Sequence, residues 1–295
     1  MEHDKWMERI LENREEMLPV EADYQSELKT INGIRVVVFD IYGTLLISGS
    51  GDVGSVDTTV RSSLICQAMD DLGITHRVKM IPTAGILNRT IEQLNRERQG
   101  PTCPKPEVDI VEVWRQVLTE CGWTGGAADI ESLVRLATQY EALANPTWPM
   151  PYASHLLTEL KASGLLLGIV SNAQIFTPCL VQDLLNQSGL EECGFSLDLC
   201  LFSNRYRQAK PGPRLFDVLR AALQARNIRP QEAIYVGNDM LNDIWAASQA
   251  GFRTAWFAGD RRSCRPRQRE VRCQSLRPDI VLTNLMQLPE CLQIS

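Results

Sequence analysis

Asp40 ends the apolar run Val36-Val37-Val38-Phe39 and is followed at once by Ile41-Tyr42-Gly43-Thr44. A continuous apolar run before a glycine turn suits a strand covered on both faces. A carboxylate at the carboxyl end of such a strand stands where open α/β sheets place their chemistry. There it can act as a covalent nucleophile. Three further segments carry useful polar residues. Ser171-Asn172 follows Ile169-Val170, and Lys210-Pro211 lies in a loop after the apolar stretch near Leu201. Gly237-Asn238-Asp239-Met240-Leu241-Asn242-Asp243 follows Val236. Together they offer a nucleophile, a hydroxyl and amide pair, a fixed cation and an acidic cluster. Each has an ordinary alternative when taken singly. Ser171 can cap a helix, Lys210 can be a solvated loop charge, and Asp239 can be an N-cap. Asp243 can be a first-turn carboxylate favoured by the helix dipole. Their order, each after an apolar strand-like run, is what argues for one site.

The elements needed to position them are legible in the spacing of apolar residues. From about residue 150 the pattern alternates helix and strand: helix 152–163, strand 165–170, helix 176–187, strand 197–202, helix 213–226, strand 233–236, helix 240–250, strand 254–257 and a last strand at 279–282. Strands alternating with helices mean an α/β fold with a doubly wound parallel sheet, which brings all four segments to one edge. Between about 56 and 148 the apolar residues recur at helical spacing, as in Val60, Leu64, Ile65, Ala68, Met69 and Leu72. Further helices follow around Leu87, Trp114 and Leu133. This predicts an inserted all-helical cap over 51–149, with the core domain in 34–50 and 150–295. Polar Ser48–Gly54 reads as the outgoing linker and Asn145–Pro151 as the return. Residues 1–33 read as a helical leader, with Trp6, Ile10, Leu11 and Met17 on one face.

Composition narrows the function classes. The 295-residue chain is 44% hydrophobic and 22% charged, as in ordinary globular proteins. Its net charge of −6 argues against a general nucleic-acid binder. No apolar stretch has membrane-spanning length, and the charged N-terminus is no secretory signal. The nine cysteines show no CxxC and no zinc spacing. They read as buried thiols in a reducing cytoplasm. The expected partner is a small anionic molecule, with neither nucleic acid nor membrane, and nothing in the sequence sets an oligomeric state.

In these motifs the chain resembles the haloacid dehalogenase-like (HAD) hydrolase superfamily, over Ile34–Leu46 and then about 150–285. The resemblance implies a Rossmann-like core with an inserted cap. It implies that Asp40 is the nucleophile, that Ser171 and Lys210 supply the second and third motifs, and that Asn238, Asp239 and Asp243 form the fourth. Gly43, Thr44, Ser171, Asn172 and Lys210 would hold a phosphoryl group. Mg²⁺ would sit on Asp40, the carbonyl of Tyr42 and an acid of the fourth motif, with Asn238 in the place of that motif's usual first Asp.

Tyr42 departs from the pattern. Family phosphatases carry Asp two residues after the nucleophile, and it protonates the leaving group. Tyrosine, with an ordinary pKa of about 10, is a poor acid near neutrality. Asp40-Ile41-Tyr42-Gly43-Thr44 looks like the 2-haloacid dehalogenase version, in which a halide leaves without a proton or a metal. The acidic cluster favours the phosphatase, because three close carboxylates call for a cation. The dehalogenases' Tyr is also absent at Phe216, which reads as core. Their cap arginine has three unsupported candidates, Arg61, Arg77 and Arg89. The leading expectation is Mg²⁺-dependent hydrolysis of a small phosphate ester. Two alternatives are a metal-independent dehalogenase-type hydrolase and a HAD-derived binding or regulatory protein with little turnover. The basic segment Arg261–Arg272 reads as a solvated, mobile loop, with steering of an anion as the alternative. Trp114, Trp123 and Trp148 read as packing rather than pocket.

Overall fold

The computed structural model describes residues 14–50, 57–124, 128–185 and 187–294. Its centre is a parallel sheet of six strands in the order β5-β4-β1-β6-β7-β8. The strands are β1 (Val36–Phe39), β4 (Leu166–Ser171), β5 (Phe195–Phe202), β6 (Ala233–Gly237), β7 (Arg253–Phe257) and β8 (Ile280–Leu282). β1 lies between β4 and β6, with Phe39 in register with Ile169 on one side and Val236 on the other. Its four residues are fully buried. Val37 and Phe39 enter one core layer, Val36 and Val38 the other. This explains why the strand is apolar without alternation.

The cap is a separate helical layer with its own core around Trp114, Leu133 and Leu136. Its helices are Thr58–Asp71, Ala84–Arg98, Ile110–Glu120 and Ile130–Ala144. Each starts at a side-chain cap: Asp57, Thr83, Asp109 and Asp129 accept backbone N–H bonds from the first turn. The return segment is more ordered than a linker. Thr147–Pro149 forms β3, antiparallel to β2 (Leu46–Ser48). Asn145 Oδ1 accepts from Ser48 Oγ at 2.8 Å and from Ser50 Oγ at 2.9 Å, which ties the two crossings together.

The expected helical leader is corrected where the structure describes it. Residues 14–33 contain no helix, while 1–13, with Trp6, Ile10 and Leu11, lie outside the described residues. Pro19 interrupts the pattern, and backbone bonds to the core replace helical ones. Val20 N–H donates to Asp260 at 3.0 Å, Glu27 and Val281 exchange two bonds of 3.0 Å, and Ile31 N–H donates to Cys291 O at 2.8 Å. The segment runs as a strap along β8. No helix among the described residues is long and apolar enough to cross a membrane.

Candidate active site

Asp40 stands directly after β1, its N–H donating to Val236 O at 2.9 Å. β4 ends on Ser171 and Asn172, and β6 leads into Asn238 and Asp239. The sheet is wound outward from β1 in both directions, so these ends meet at the switch point. β5 and the short helix Ser203–Tyr206 bring Lys210 into the same place.

Lys210 is the hub. Its Nζ donates to Asp40 Oδ1 at 2.9 Å, Asp243 Oδ1 at 2.5 Å and Val170 O at 3.0 Å, and meets the Tyr235 hydroxyl at 2.7 Å. The ammonium is almost fully buried. Burial alone would depress its pKa, but the carboxylates of Asp243 and Asp40 outweigh that and raise it. Burial pushes the Asp243 carboxyl up, with Lys210 opposing. The second Asp243 oxygen accepts from Asp239 N–H at 2.9 Å. Asn172 fixes the backbone of Lys210, accepting from its N–H at 2.7 Å and donating to its carbonyl at 3.3 Å.

Asp40, Tyr42, Asn172, Lys210, Asn238, Asp239 and Asp243 all line one cavity of about 400 Å³ between core and cap. Gly43, Thr44 and Ser171 stand behind that wall. Thr44 Oγ1 donates to Asn238 Oδ1 at 3.3 Å. Ser171 is buried, its hydroxyl 3.5 Å from Asn172 O. Gly43 has φ +83°, and a Cβ there would lie 2.5 Å from both Asn238 and Ser263, so the turn takes only glycine.

From the cap, Arg61, Glu141 and Tyr140 reach the cavity. Of the three arginines considered for the cap, Arg61 alone lines it; Arg77 stacks on Trp123 and Arg89 pairs with Glu120. Trp114 is buried in the cap core and Trp148 packs on the sheet core. Phe216 is core as well, edge-on to Tyr235 with ring centroids 5.2 Å apart. Tyr42 shares a 3.0 Å hydrogen bond with Thr177 Oγ1. Burial, with Glu141 nearby, raises its pKa far above the ordinary value, so the phenol stays protonated.

The basic segment is solvated only in part: Arg261, Arg269 and Arg272 are exposed, but its middle is anchored. Ser263, Cys264 and Cys273 anchor it by burial, and Arg265 bridges to Asp239 by backbone pairing. Arg265 and Arg267 line the cavity. Arg267 forks onto Asp239, with Nε 3.1 Å from each carboxylate oxygen and Nη2 2.5 Å from Oδ2. Tyr235, Arg265, Arg267 and Glu141 are the site residues that motif reading missed. For Tyr235 a signal existed, since a tyrosine inside a buried strand needs a hydroxyl partner.

Of the oxygens expected to bind Mg²⁺, those of the fourth motif are committed elsewhere. Asp239 holds Arg267 and caps the N–H groups of Leu241 and Asn242 at 2.8 and 3.1 Å. Asp243 holds Lys210, and Asn238 Oδ1 takes the Thr44 hydroxyl. Among the described residues no three acidic, histidine or cysteine side chains are grouped to hold a metal. With the acids of the fourth motif so engaged, this donor set does not complete the octahedral oxygen shell of Mg²⁺.

A sequence profile of haloacid dehalogenase-like hydrolases matches residues 34–251. The chain belongs to that family. It is 33% identical over 144 residues to phosphoserine phosphatase of Thermus thermophilus, covering 49% of this chain and 52% of that one. It thus spans about half the length of such curated relatives. It is 28% identical over 227 residues to phosphoglycolate phosphatase of Shigella sonnei, covering 74% and 79%. The crystal structure of a 2-haloacid dehalogenase from Pseudomonas syringae superposes with a TM-score of 0.54 at 22% identity, over 88% of this chain and 97% of that one. That likeness speaks for the shared HAD fold.

Proposed function

We propose that this HAD hydrolase cleaves a small phosphate monoester, with Asp40 as the covalent nucleophile. The observation that carries the reading is the Asp40–Lys210 pair on the wall of a cavity that also presents Arg265 and Arg267. Arg61, Lys210, Arg265 and Arg267 line that cavity beside its acids, and such cations suit the charge that develops on the equatorial oxygens of a phosphoryl group. The named activities of the two phosphatase relatives support the same class.

Lys210 holds one Asp40 oxygen at 2.9 Å and fixes the carboxylate for attack. The new bond joins an Asp40 oxygen to phosphorus, and the bond from phosphorus to the leaving oxygen breaks. The leaving alkoxide takes a proton from solvent water and departs as the alcohol. Water then adds to the aspartyl-phosphate, giving phosphate and the free carboxylate, and a proton is released. Tyr42, held protonated against Thr177, is a weak donor for the first step. Since such help is worth about 10²–10⁴-fold, good leaving groups should be strongly preferred.

A second reading rests on that same Tyr42 geometry. A halide leaves without a proton, so displacement from a 2-haloacid by Asp40 would not need the missing acid. Phosphate release from p-nitrophenyl phosphate and halide release from 2-chloropropionate, each with Asp40→Asn as control, separate these readings. Halide release without phosphatase activity would overturn the proposal. Absence of both, or activity that persists in Asp40→Asn, would point to a binding protein or to different chemistry.

A further inference from the structure

We infer that Arg267 is the resident cation of Asp239 and, with Lys210 on Asp243, answers the fourth-motif carboxylates without a divalent metal. Together with Lys210 it receives the anionic group of the substrate; this second part rests on the phosphate-ester reading. Three observations converge. The first is the fork: one guanidinium bonds both Asp239 oxygens, Nε to Oδ1 and Nη2 to Oδ2, a geometry lysine cannot reproduce. The second is position: Arg267 lines the cavity that holds Asp40 and Lys210. The third is backbone cost. Arg267 adopts φ +49°, a left-handed conformation that glycine or asparagine would take with less strain. Strain of this kind persists where surrounding structure enforces it, and it clusters at functional sites.

The enforcement is visible. Met240 N–H donates to Arg265 O at 2.9 Å, and Arg265 N–H donates to Asn238 O at 3.0 Å. The loop is therefore zipped to the fourth motif two residues before Arg267. Asp40, Asp239 and Asp243 face Lys210 and Arg267, so one negative charge remains when all are ionised. A divalent ion would have to displace the guanidinium to reach Asp239.

The test measures Mn²⁺ uptake by electron paramagnetic resonance in the wild type, Arg267→Ala and Arg267→Lys. Hydrolysis of p-nitrophenyl phosphate is followed beside it, in EDTA and in Mg²⁺. The wild type should leave Mn²⁺ free and hydrolyse equally well in both conditions. Arg267→Ala should take up Mn²⁺ where the wild type does not, because losing the guanidinium frees both Asp239 oxygens and leaves their charge unanswered. Its KM in EDTA should rise. Mn²⁺ binding by the wild type with Arg267 present, or Mg²⁺-dependent turnover, would overturn the inference. Should Arg267→Ala not fold, the wild-type Mn²⁺ result decides it together with Arg267→Lys, which keeps one charge but cannot fork onto Asp239 and should take up Mn²⁺ more readily than the wild type. If no phosphatase activity is found at all, the functional reading fails, while Mn²⁺ uptake still judges the role of Arg267.

Discussion

Asn172 grips Lys210 by the backbone, accepting its N–H at 2.7 Å and donating to its carbonyl at 3.3 Å. The charged end of that lysine is shared between strands β1, β4 and β6, so the clamp sets where the cation sits. Asn172→Ala should leave a buried donor and acceptor unpaired and cost about 1–3 kcal/mol. Hydrolysis should fall more in kcat than in KM, because the lysine is displaced rather than lost. Urea unfolding read beside steady-state kinetics checks both parts.

Lys210→Met should be far more damaging. It strips the buried counter-charge from Asp40 and Asp243 together, and breaking a buried pair in this way costs about 3–5 kcal/mol. Adding Asp243→Leu should recover part of the stability without recovering activity. Equal stability of the single and double variants would show that Asp243 does not depend on this lysine.

Tyr42→Phe removes the 3.0 Å hydrogen bond to Thr177 and only a weak donor from the proposed proton traffic. Stability should drop by about 1 kcal/mol, and turnover should change less than about threefold, far below the general-acid range. A loss of a hundredfold or more would make Tyr42 the proton donor after all.

Glu141 gives the site a pH signature. Burial raises its pKa above the ordinary 4.5, opposed by the bond from Asn145 and by Arg14 and Arg61. The folded state therefore holds a proton that the unfolded state releases once the pH passes 4.5. Stability is lost as the pH climbs from there through the raised value. Glu141→Gln should flatten that slope and leave the protein more stable than the wild type at pH 8 but not at pH 4. Thermal melts at the two pH values compare them.

Much of this arrangement was legible because it is local. Val36–Phe39 must be a doubly covered strand, and the second and fourth motifs follow their own apolar runs at once, with Lys210 in a loop a few residues after its run. The cap helices were legible for the same reason, with apolar spacing and capping residues within a few positions. What escaped was carried by contacts remote in sequence. Arg267 reaches Asp239 from a loop 28 residues downstream, and its charged neighbours made that loop read as solvated. The leader misled in the opposite direction. Met17 does pack on the core, yet Pro19 and the pairing of Glu27 with Val281 leave no helix around it. Asp239 and Asp243 of the fourth motif do lie together, the Asp239 N–H donating to Asp243. Which cation answers them depended on tertiary structure.

The strap over residues 18–31 has a consequence beyond holding the loop. β8 is an outer strand of the sheet, and Glu27 occupies hydrogen-bonding groups of Val281 on its open side. An uncovered strand edge is a template for other chains. The strap therefore acts as a guard against self-association, and its removal should appear first as aggregation, before any change in chemistry.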